Sequence, residues 1–350
     1  MRIAWLDTLR VLASLLVILS HFAYTIQGSP AFQKFLQTFI FNVGIFGVVI
    51  FFAVSGYLAA NSLERSPSTK EFYRRKFIRI LVPYVTAYVV FFVLLKFFEG
   101  EPFTPTEIAL AIVPVDVNLI KFLGLPLKQI IGEWFIGTII FLYAVAPLLY
   151  AGLKKNLPLT VLLTFALAVF VDNIALGWLA EGKIYSQDFI FAVRAPEFLA
   201  GMILFTHKNF VARNIRAIAA VFIFFAAYNF LLSPHASIWA KIFVNVRWSS
   251  IFVAAAAIFL AYAAADNLNE KFPRACKNFN AFSNISYMAM LIHHQIIFQL
   301  ERCLFVPPSW LKATALFALV LIVTAAVSEI IRRIYKPLED RLIKGGKIFG

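Results

Sequence analysis

Apolar stretches that are long enough to cross a bilayer recur along the whole chain, and charged or turn residues bound each of them. A helix needs about 20 mainly apolar residues to span the hydrocarbon core, and a backbone in lipid must form its own hydrogen bonds, which makes each span helical. Ten stretches fit this description: 5–26, 39–60, 77–98, 133–152, 158–172, 189–206, 214–232, 247–265, 283–303 and 311–331. The pattern predicts an all-α, polytopic integral membrane protein, with about ten transmembrane helices in one bundle and a single membrane domain over residues 1–350.

One further stretch, 105–124, is apolar enough to be counted as an eleventh span. That choice would place Pro114 and Asp116 in the middle of the bilayer, where a charged side chain is costly. We therefore predict that residues 99–132 form an external loop of amphipathic or re-entrant character. After the last span, residues 332–350 are predicted to form a short cytoplasmic tail.

The composition excludes a sizeable soluble domain beside the spans, because 61% of the 350 residues are hydrophobic and only 14% are charged. Most of the basic residues behind the net charge of +14 lie in the predicted loops between the spans. With a cytoplasmic N-terminus, 21 of the 32 Lys and Arg residues lie in inside loops and 9 in outside loops, in accord with the positive-inside rule. We therefore expect both termini in the cytoplasm, and membrane lipids rather than nucleic acid as the partner of the basic surface.

Polar side chains line one face of the first span. Arg10 and His21 are eleven residues apart, which brings them to the same helix face about 16 Å apart along the axis. Asp7 precedes Arg10 by three positions and can pair with it, and Ser14 lies on the same seam. Ionisable residues inside a span are functional candidates by default. The structural alternative is a salt bridge and a hydrogen-bonded histidine that only join helices.

A second charged pair lies in the sixth predicted span. Arg194 and Glu197 are three residues apart, which allows them to pair on one helix face, and Pro196 removes a backbone donor between them. Counting from the outer ends of their spans predicts that this pair lies at the depth of His21. We interpret the pair as part of a functional site, with a purely structural ion pair as the alternative.

The ninth predicted span carries the adjacent histidines His293 and His294. Neighbouring helix positions point about 100° apart, so we expect at most one of them to face a given cavity. The chain contains no HxxxH or HExxH pattern, and Cys276 and Cys303 lie in different segments without a CxxC. The sequence therefore predicts no metal site and no structural disulfide.

The basic run before the third span contains Arg75 and Arg79. Guanidinium groups bind phosphates with paired hydrogen bonds, so these residues are candidates for a phosphate site. The positive-inside rule alone also explains their charge, and both interpretations stay open here.

Taken together and in order, these motifs resemble the acyltransferase-3 family over nearly the whole chain. The matching residues are Arg10 followed after ten residues by His21; Gly44-x-x-Gly47-x-x-x-Phe51-Phe52-Ala53-Val54-Ser55-Gly56-Tyr57-Leu58; Arg75-x-x-x-Arg79-x-x-x-Pro83-Tyr84; Trp134-Phe135; Arg194-x-x-Glu197-Phe198-x-x-Gly201; and Ser286-Tyr287-x-x-Met290-Leu291-x-His293. The last motif departs from the family pattern, which favours tyrosine at Met290.

The resemblance implies a membrane O-acyltransferase. Such a protein moves an acyl group, with acetyl the expected one, from cytoplasmic acyl-CoA to a hydroxyl of a cell-surface or lipid-linked carbohydrate. The expected location is the bacterial cytoplasmic (inner) membrane, with acyl-CoA as donor substrate and no permanently bound cofactor. On this basis we assign catalysis to His21 (as general base or acyl-accepting group), Arg10, Arg194 and Glu197, acyl-CoA binding to Arg75, Arg79 and Ser55, and substrate binding to Trp134, Tyr287 and His293.

Two other classes of function also fit a polar seam in a helix bundle. A glycan or lipid transporter would line its path in the same way and would consume no acyl-CoA. A protein that uses the seam only for assembly would lose stability, and no glycan chemistry, when His21 is replaced.

Overall fold

The chain is helical throughout the part that the structure describes. The computed structural model describes residues 3–25, 43–112, 117–126, 128–172, 189–232, 258, 262, 264, 270–304 and 310–345. No β-strand occurs within these ranges. The all-α prediction is therefore confirmed for them, whereas nearly all of the predicted span 247–265 lies outside the described residues.

Twelve α-helices are described, and we number them in chain order. They are α1 (Ala4–Thr25), α2 (Val43–Arg65), α3 (Thr69–Val93, continued by the π-helical turn Leu94–Phe98), α4 (Pro105–Ile112), α5 (Val117–Phe122), α6 (Glu133–Lys155), α7 (Leu157–Phe170), α8 (Phe191–Thr206), α9 (Lys208–Leu232), α10 (Pro273–Ala281), α11 (Ser283–Cys303) and α12 (Trp310–Gly345).

Several of these helices are suited to a bilayer. Among the described residues, five helical stretches are long and apolar enough to cross a membrane: Ala4–Tyr24, Val43–Arg65, Thr69–Phe98, Glu133–Lys155 and Leu311–Gly345. Helix α7 is apolar but shorter, at 14 residues. The protein is thus an all-helical membrane protein, and the total of about ten spans stays a prediction.

Capping residues explain where individual helices begin. The Ser68 hydroxyl accepts a hydrogen bond from the Glu71 N–H at 3.2 Å and opens α3. The Asn156 side chain accepts one from the Leu159 N–H at 3.0 Å and opens α7 directly after α6 ends. Both side chains satisfy a backbone donor that has no partner within its own helix. The chain therefore turns sharply between α6 and α7.

The segment 99–132 contains only short helices in its described part, α4 with eight residues and α5 with six. Neither is long enough to cross a bilayer. A capping box opens α4, since the Thr104 N–H donates to the Glu107 carboxylate at 2.8 Å and the Glu107 N–H donates to the Thr104 hydroxyl at 3.2 Å. The Thr104 N–H and then the Thr104 hydroxyl, which both donate to the Glu107 carboxylate at 2.8 Å, lower the pKa of Glu107 below its ordinary value. This geometry agrees with a structured loop, whose placement outside the cell stays a prediction.

Helix α2 is the centre of the bundle, because small residues let its neighbours approach closely. A Cβ atom added to Gly56 would lie 1.8 Å from the Phe198 carbonyl oxygen of α8, and one added to Gly201 would lie 1.7 Å from that of Ala53. On its other side, a Cβ atom added to Gly47 would lie 2.6 Å from the Ala13 carbonyl oxygen of α1. Helices α2 and α8 are therefore in backbone contact, which only glycine permits.

The contacts also define the relative directions of the helices. Gly44 lies against Ser20 of α1, whereas Tyr57 lies with its ring centroid 5.1 Å from that of Trp5, so α1 and α2 are antiparallel. Helices α1 and α11 are parallel, because Ser14 contacts the Ser286 carbonyl and, about two turns further along both helices, His21 contacts His294.

We expect Gly56→Ala and Gly201→Ala to destabilise the protein. Each new methyl group would meet a carbonyl oxygen of the neighbouring helix, and such overpacking typically costs about 1–3 kcal/mol. Thermal unfolding of the detergent-solubilised protein should show a lower midpoint for both variants. Gly345→Ala is the matched control, since no atom lies within 4 Å of the added Cβ there. Equal midpoints in all three variants would contradict the backbone contact.

Candidate active site

Three histidine rings meet where α1 packs against α11. The ring centroids of His21 and His294 lie 3.9 Å apart, those of His21 and His293 5.0 Å apart, and those of His293 and His294 4.4 Å apart. The His294 Nε2 and His21 Nδ1 atoms are 2.5 Å apart, within hydrogen-bond distance. His293 is buried and the other two rings are partly buried. Helix packing thus gathers three titratable groups from two distant parts of the sequence.

The prediction that at most one of His293 and His294 faces a given cavity is wrong. The prediction assumed that a cavity is narrow and is reached from only one direction around the helix. The His21 ring lies between two consecutive positions of the neighbouring helix, and an imidazole is wide enough to contact both of their rings. The angular separation of about 100° between neighbours does not prevent this contact.

Among the described residues, these three histidines also form a group that could hold a metal ion. Each histidine offers one ring nitrogen, and these atoms all lie within 4.8 Å of one another. Three imidazoles with an open fourth position are a common set of zinc ligands. The prediction of no metal site relied on local sequence spacing, whereas these ligands come from α1 and α11 and have no local pattern.

The contact between α1 and α11 is anchored by serines about two turns before the histidines. The Ser14 hydroxyl lies 2.9 Å from the Arg10 carbonyl oxygen and 3.1 Å from that of Ser286. The Ser286 hydroxyl donates to the Ser283 carbonyl at 2.9 Å. Ser14, predicted on the polar seam, therefore helps to set the register that brings His21 to the two histidines.

Cationic side chains converge at the opposite end of the seam. Arg10 lies with its Nη1 atom 3.6 Å from a carboxylate oxygen of Asp7, as predicted. The positive charges of Arg79 and Arg10 are both close enough to act on Lys76. Lys76 itself is buried, and its ammonium donates to the Leu58 carbonyl at 3.0 Å. We refer to Arg10, Lys76 and Arg79 as the cation cluster.

The other residues predicted to bind acyl-CoA divide between two places. Ser55 lies beside Tyr143, whose ring centroid is 4.9 Å from the Lys76 ammonium, so Ser55 borders the cation cluster. Arg75 instead pairs with Glu71, which also binds Arg74 at 2.8 Å. Sequence reasoning treated Lys76 only as part of a basic run, since nothing in the run distinguishes the one side chain that is buried.

The predicted pairing of Arg194 with Glu197 is confirmed. The Arg194 Nη1 and Glu197 Oε1 atoms lie 2.6 Å apart, and the two side chains are 2% and 0% exposed. The Arg194 guanidinium carbon also lies 5.8 Å from the ring centroid of Phe52. The pair is therefore fully buried between α8 and α2.

The depth of this pair relative to His21 stays a prediction. Arg194 lies near Phe52 of α2, and the Phe52 ring packs on that of Phe135 near the start of α6, with centroids 5.1 Å apart. These contacts place the pair among α8, α2 and α6.

The start of α6 lies next to the histidine cluster. Gly132 packs against Leu291, and the Gln295 amide donates to the Ile130 carbonyl at 2.7 Å, so this turn contacts α11 on both sides of His293 and His294. The Glu133 carboxylate is buried and accepts from the Ile130 N–H at 2.7 Å. Glu133, beside Trp134 at the start of its predicted span, is a further candidate on sequence grounds, and the structure shows that its carboxylate is buried.

Two further predicted substrate residues have defined surroundings. The Trp134 ring is stacked on that of Phe189, with centroids 4.2 Å apart, at the level of the histidine cluster. The Tyr287 hydroxyl donates to the Ile80 carbonyl of α3 at 3.1 Å. Tyr287 thus joins α11 to α3, and its role toward substrate stays a prediction, as do those of Trp134 and His293.

In this helical membrane protein, α1 contributes His21 to a histidine cluster and Arg10 to a cation cluster. Residues 3–329 match the sequence profile of the family described as Acyltransferase domain. The chain therefore belongs to the acyltransferase-3 family, as its motifs predicted. Over 102 residues it is 37% identical to the O-acetyl transferase of Shigella phage Sf6, a match that spans 28% of this chain and 29% of that relative. No solved structure matches the chain.

We expect the Arg194–Glu197 pair to behave as one energetic unit. Replacing one partner leaves a buried charge without its counter-ion, which typically costs about 3–5 kcal/mol, whereas replacing both with apolar residues is often close to neutral. Arg194→Leu and Glu197→Leu should each lower the thermal unfolding midpoint strongly, and the double variant should recover most of the loss.

The exposed pair Lys154–Glu64, 2.8 Å apart, is the matched control for this cycle. Its coupling should be below about 1 kcal/mol, because water screens exposed charges. If the loss of stability in the double variant equals the sum of the losses in Arg194→Leu and Glu197→Leu, these residues do not interact.

Proposed function

We propose that the protein is an O-acyltransferase that moves an acyl group, most simply acetyl, from acyl-CoA to a hydroxyl group of a carbohydrate. The observation that carries this proposal is the placement of His21 in the histidine cluster and of Arg10 in the cation cluster on one face of α1, in a chain of the acyltransferase-3 family. The phage relative is named an O-acetyl transferase, which favours acetyl as the group transferred.

The cation cluster suits the phosphate groups of the donor. Arginine forms paired, charge-assisted hydrogen bonds with phosphate, and lysine supplies a compact positive charge. Lys76 is held in place by the Leu58 carbonyl, the Tyr143 ring and the aromatic ring of Phe72, 5.9 Å from its ammonium. Three cations held together repel one another, so a bound polyanion would relieve that repulsion.

The distance along α1 suits the rest of the donor. Arg10 and His21 lie about 16 Å apart along the helix axis, at 1.5 Å per residue. The thioester of acyl-CoA lies at the end of a long, narrow arm that extends away from its phosphates. With the phosphates at the cation cluster, that arm can follow the seam and bring the thioester toward the histidines.

His21 is the group that we assign to proton transfer. As the acceptor hydroxyl attacks the thioester carbonyl, an imidazole nitrogen of His21 takes the hydroxyl proton, the new C–O bond forms and the C–S bond breaks. The leaving thiolate then receives the proton and departs as the thiol of CoA. Histidine suits both transfers, because its ordinary pKa of about 6.5 lies close to neutral pH. The packed rings around His21 limit the access of water, which would otherwise hydrolyse the thioester.

The acceptor fits at the histidine end of the seam. Trp134 presents an aromatic ring at this level, and the buried Glu133 carboxylate lies directly beside it in the chain. We place the protein in the cytoplasmic membrane of a bacterium, with both termini in the cytoplasm and the histidine cluster toward the outer face. The basic asymmetry of the loops supports this orientation.

The proposal predicts that His21→Ala abolishes acyl transfer in a protein that still inserts and accumulates. Removing a general base typically slows a reaction by about 10²–10⁴-fold. The measurement is mass spectrometry of surface glycans from cells with the wild-type or variant gene, in which one acyl group changes the mass. His207→Ala, which replaces a histidine at the end of α8, is the control. Normal acylation by His21→Ala would assign His21 to structure alone, and acyl-CoA-independent movement of glycan would favour the transporter.

The proposal also predicts that the cation cluster governs donor binding. Lys76→Met keeps the length of the side chain and removes its charge, and Arg79→Ala removes an exposed guanidinium. Each should raise the KM for acyl-CoA about 10-fold, the usual effect of losing one charge-assisted hydrogen bond, with little change in the KM for the acceptor. Arg213→Ala, an exposed arginine of α9, is the control. An unchanged KM for acyl-CoA in both variants would show that these residues do not bind the donor and serve only as positive-inside anchors.

A further inference from the structure

We propose that His294 is a positioning residue that holds His21 in the tautomer able to act as a base. This inference rests on the proposed function, in which His21 accepts the proton of the acceptor hydroxyl. The feature behind it is the close approach of His294 Nε2 to His21 Nδ1, at 2.5 Å.

The geometry selects His294 over its neighbour. The rings of His21 and His294 have centroids 3.9 Å apart and planes 77° apart, and this contact brings His294 Nε2 within hydrogen-bond distance of His21 Nδ1. His293 also contacts His21, but its ring centroid is 5.0 Å away and the two planes are tilted by 55°. His293 belongs to the family motif described above, whereas His294 is outside it.

The hydrogen bond determines which nitrogen of His21 can react. A neutral imidazole has one N–H and one lone pair, and a hydrogen bond between two such rings needs one of each. If His21 Nδ1–H donates to the lone pair on His294 Nε2, then the lone pair of His21 is on Nε2 and can take a proton. If His294 donates instead, His21 Nε2 carries hydrogen and cannot act as a base. Catalysis by His21 therefore requires His294 as the acceptor, with its own proton on Nδ1.

The same hydrogen bond stabilises the protonated form of His21 that arises during the reaction. When His21 Nε2 takes the hydroxyl proton, the ring becomes an imidazolium and its Nδ1–H becomes a stronger donor. The His294 lone pair then stabilises a positive charge in a partly buried place where water contributes little. His294 touches neither the hydroxyl nor the thioester in this scheme and acts only through His21.

A shared metal ion is the competing use of these three histidines, and the spacing argues against it. Zinc–nitrogen bonds of about 2.0–2.1 Å in tetrahedral geometry separate two ligand nitrogens by about 3.3 Å. The nitrogens of His294 and His21 are 2.5 Å apart, closer than two ligands of one zinc ion would lie and within reach of a direct hydrogen bond. The arrangement therefore favours a hydrogen-bonded pair of histidines. The test below also measures the metal content of the purified protein.

The test compares His294→Leu with His294→Gln in the full-length protein, purified in detergent and supplied with acyl-CoA and an acceptor. Leucine removes the acceptor atom, whereas the glutamine amide oxygen can accept from His21 Nδ1–H. We expect His294→Leu to lower kcat about 10²-fold with both KM values nearly unchanged, because loss of the correct tautomer slows the chemical step and not binding. We expect His294→Gln to recover at least 10-fold of that loss.

Two further variants show whether His294 acts through His21. Added to His21→Ala, His294→Leu should cause no additional loss, since there is no base left to orient. His207→Leu is the matched control and should keep the wild-type kcat. If His294→Leu accumulates poorly, the kcat of His294→Gln is compared with that of the wild-type protein instead. The double variant with His21→Ala is measured beside it.

Three results would overturn the inference. The first is a kcat for His294→Leu within twofold of wild type. The second is equal loss in the leucine and glutamine variants. The third is one zinc ion per chain in the purified protein, with activity lost on chelation and restored by zinc, which would make His294 a metal ligand. Failure of the wild-type protein itself to transfer an acyl group is a separate outcome, which would reject the proposed function.

Discussion

The backbone contact between α2 and its two neighbours is the constraint on which the rest of the structure depends. Gly56 and Gly201 bring α2 and α8 so close that no side-chain carbon fits between them, and Gly47 does the same against α1. Between helices in lipid, where apolar burial gives no net driving force, such close packing is a main source of association. Because the three helices cannot slide without a clash, their register is fixed, and with it the level of every polar side chain they carry.

That register divides the polar groups of the bundle into two levels with different chemistry. At one level the cation cluster concentrates formal charge, which the Tyr143 ring and the Leu58 carbonyl help to stabilise. At the other level three histidines meet beside the buried start of α6. Strong cations suit the recognition of an anionic donor, and imidazoles suit the movement of protons at neutral pH. The division therefore parallels the separation between the phosphates and the thioester of an acyl-CoA.

Features that repeat within one helix were predictable from the sequence. The shared face of Arg10 and His21, and the pairing of Arg194 with Glu197, follow from helical geometry alone, which any helix imposes on residues three or eleven positions apart. The helical class follows from the same kind of local rule, because a backbone in lipid must satisfy its own hydrogen bonds. The ordered motifs also identified the family, since they combine many such local constraints along nearly the whole chain.

Features that depend on how one helix meets another were not predictable in the same way. His294 and Lys76 look like a duplicated histidine and one member of a basic run, and only packing shows that His294 bonds His21 and that Lys76 is buried. The contact of Arg194 with Phe52 likewise depends on the close glycine packing between α2 and α8. The sequence by itself thus determined the helices, the faces within them and the family. The tertiary structure alone decided which faces meet and at what height, because a sliding shift of one turn between helices leaves every local pattern unchanged.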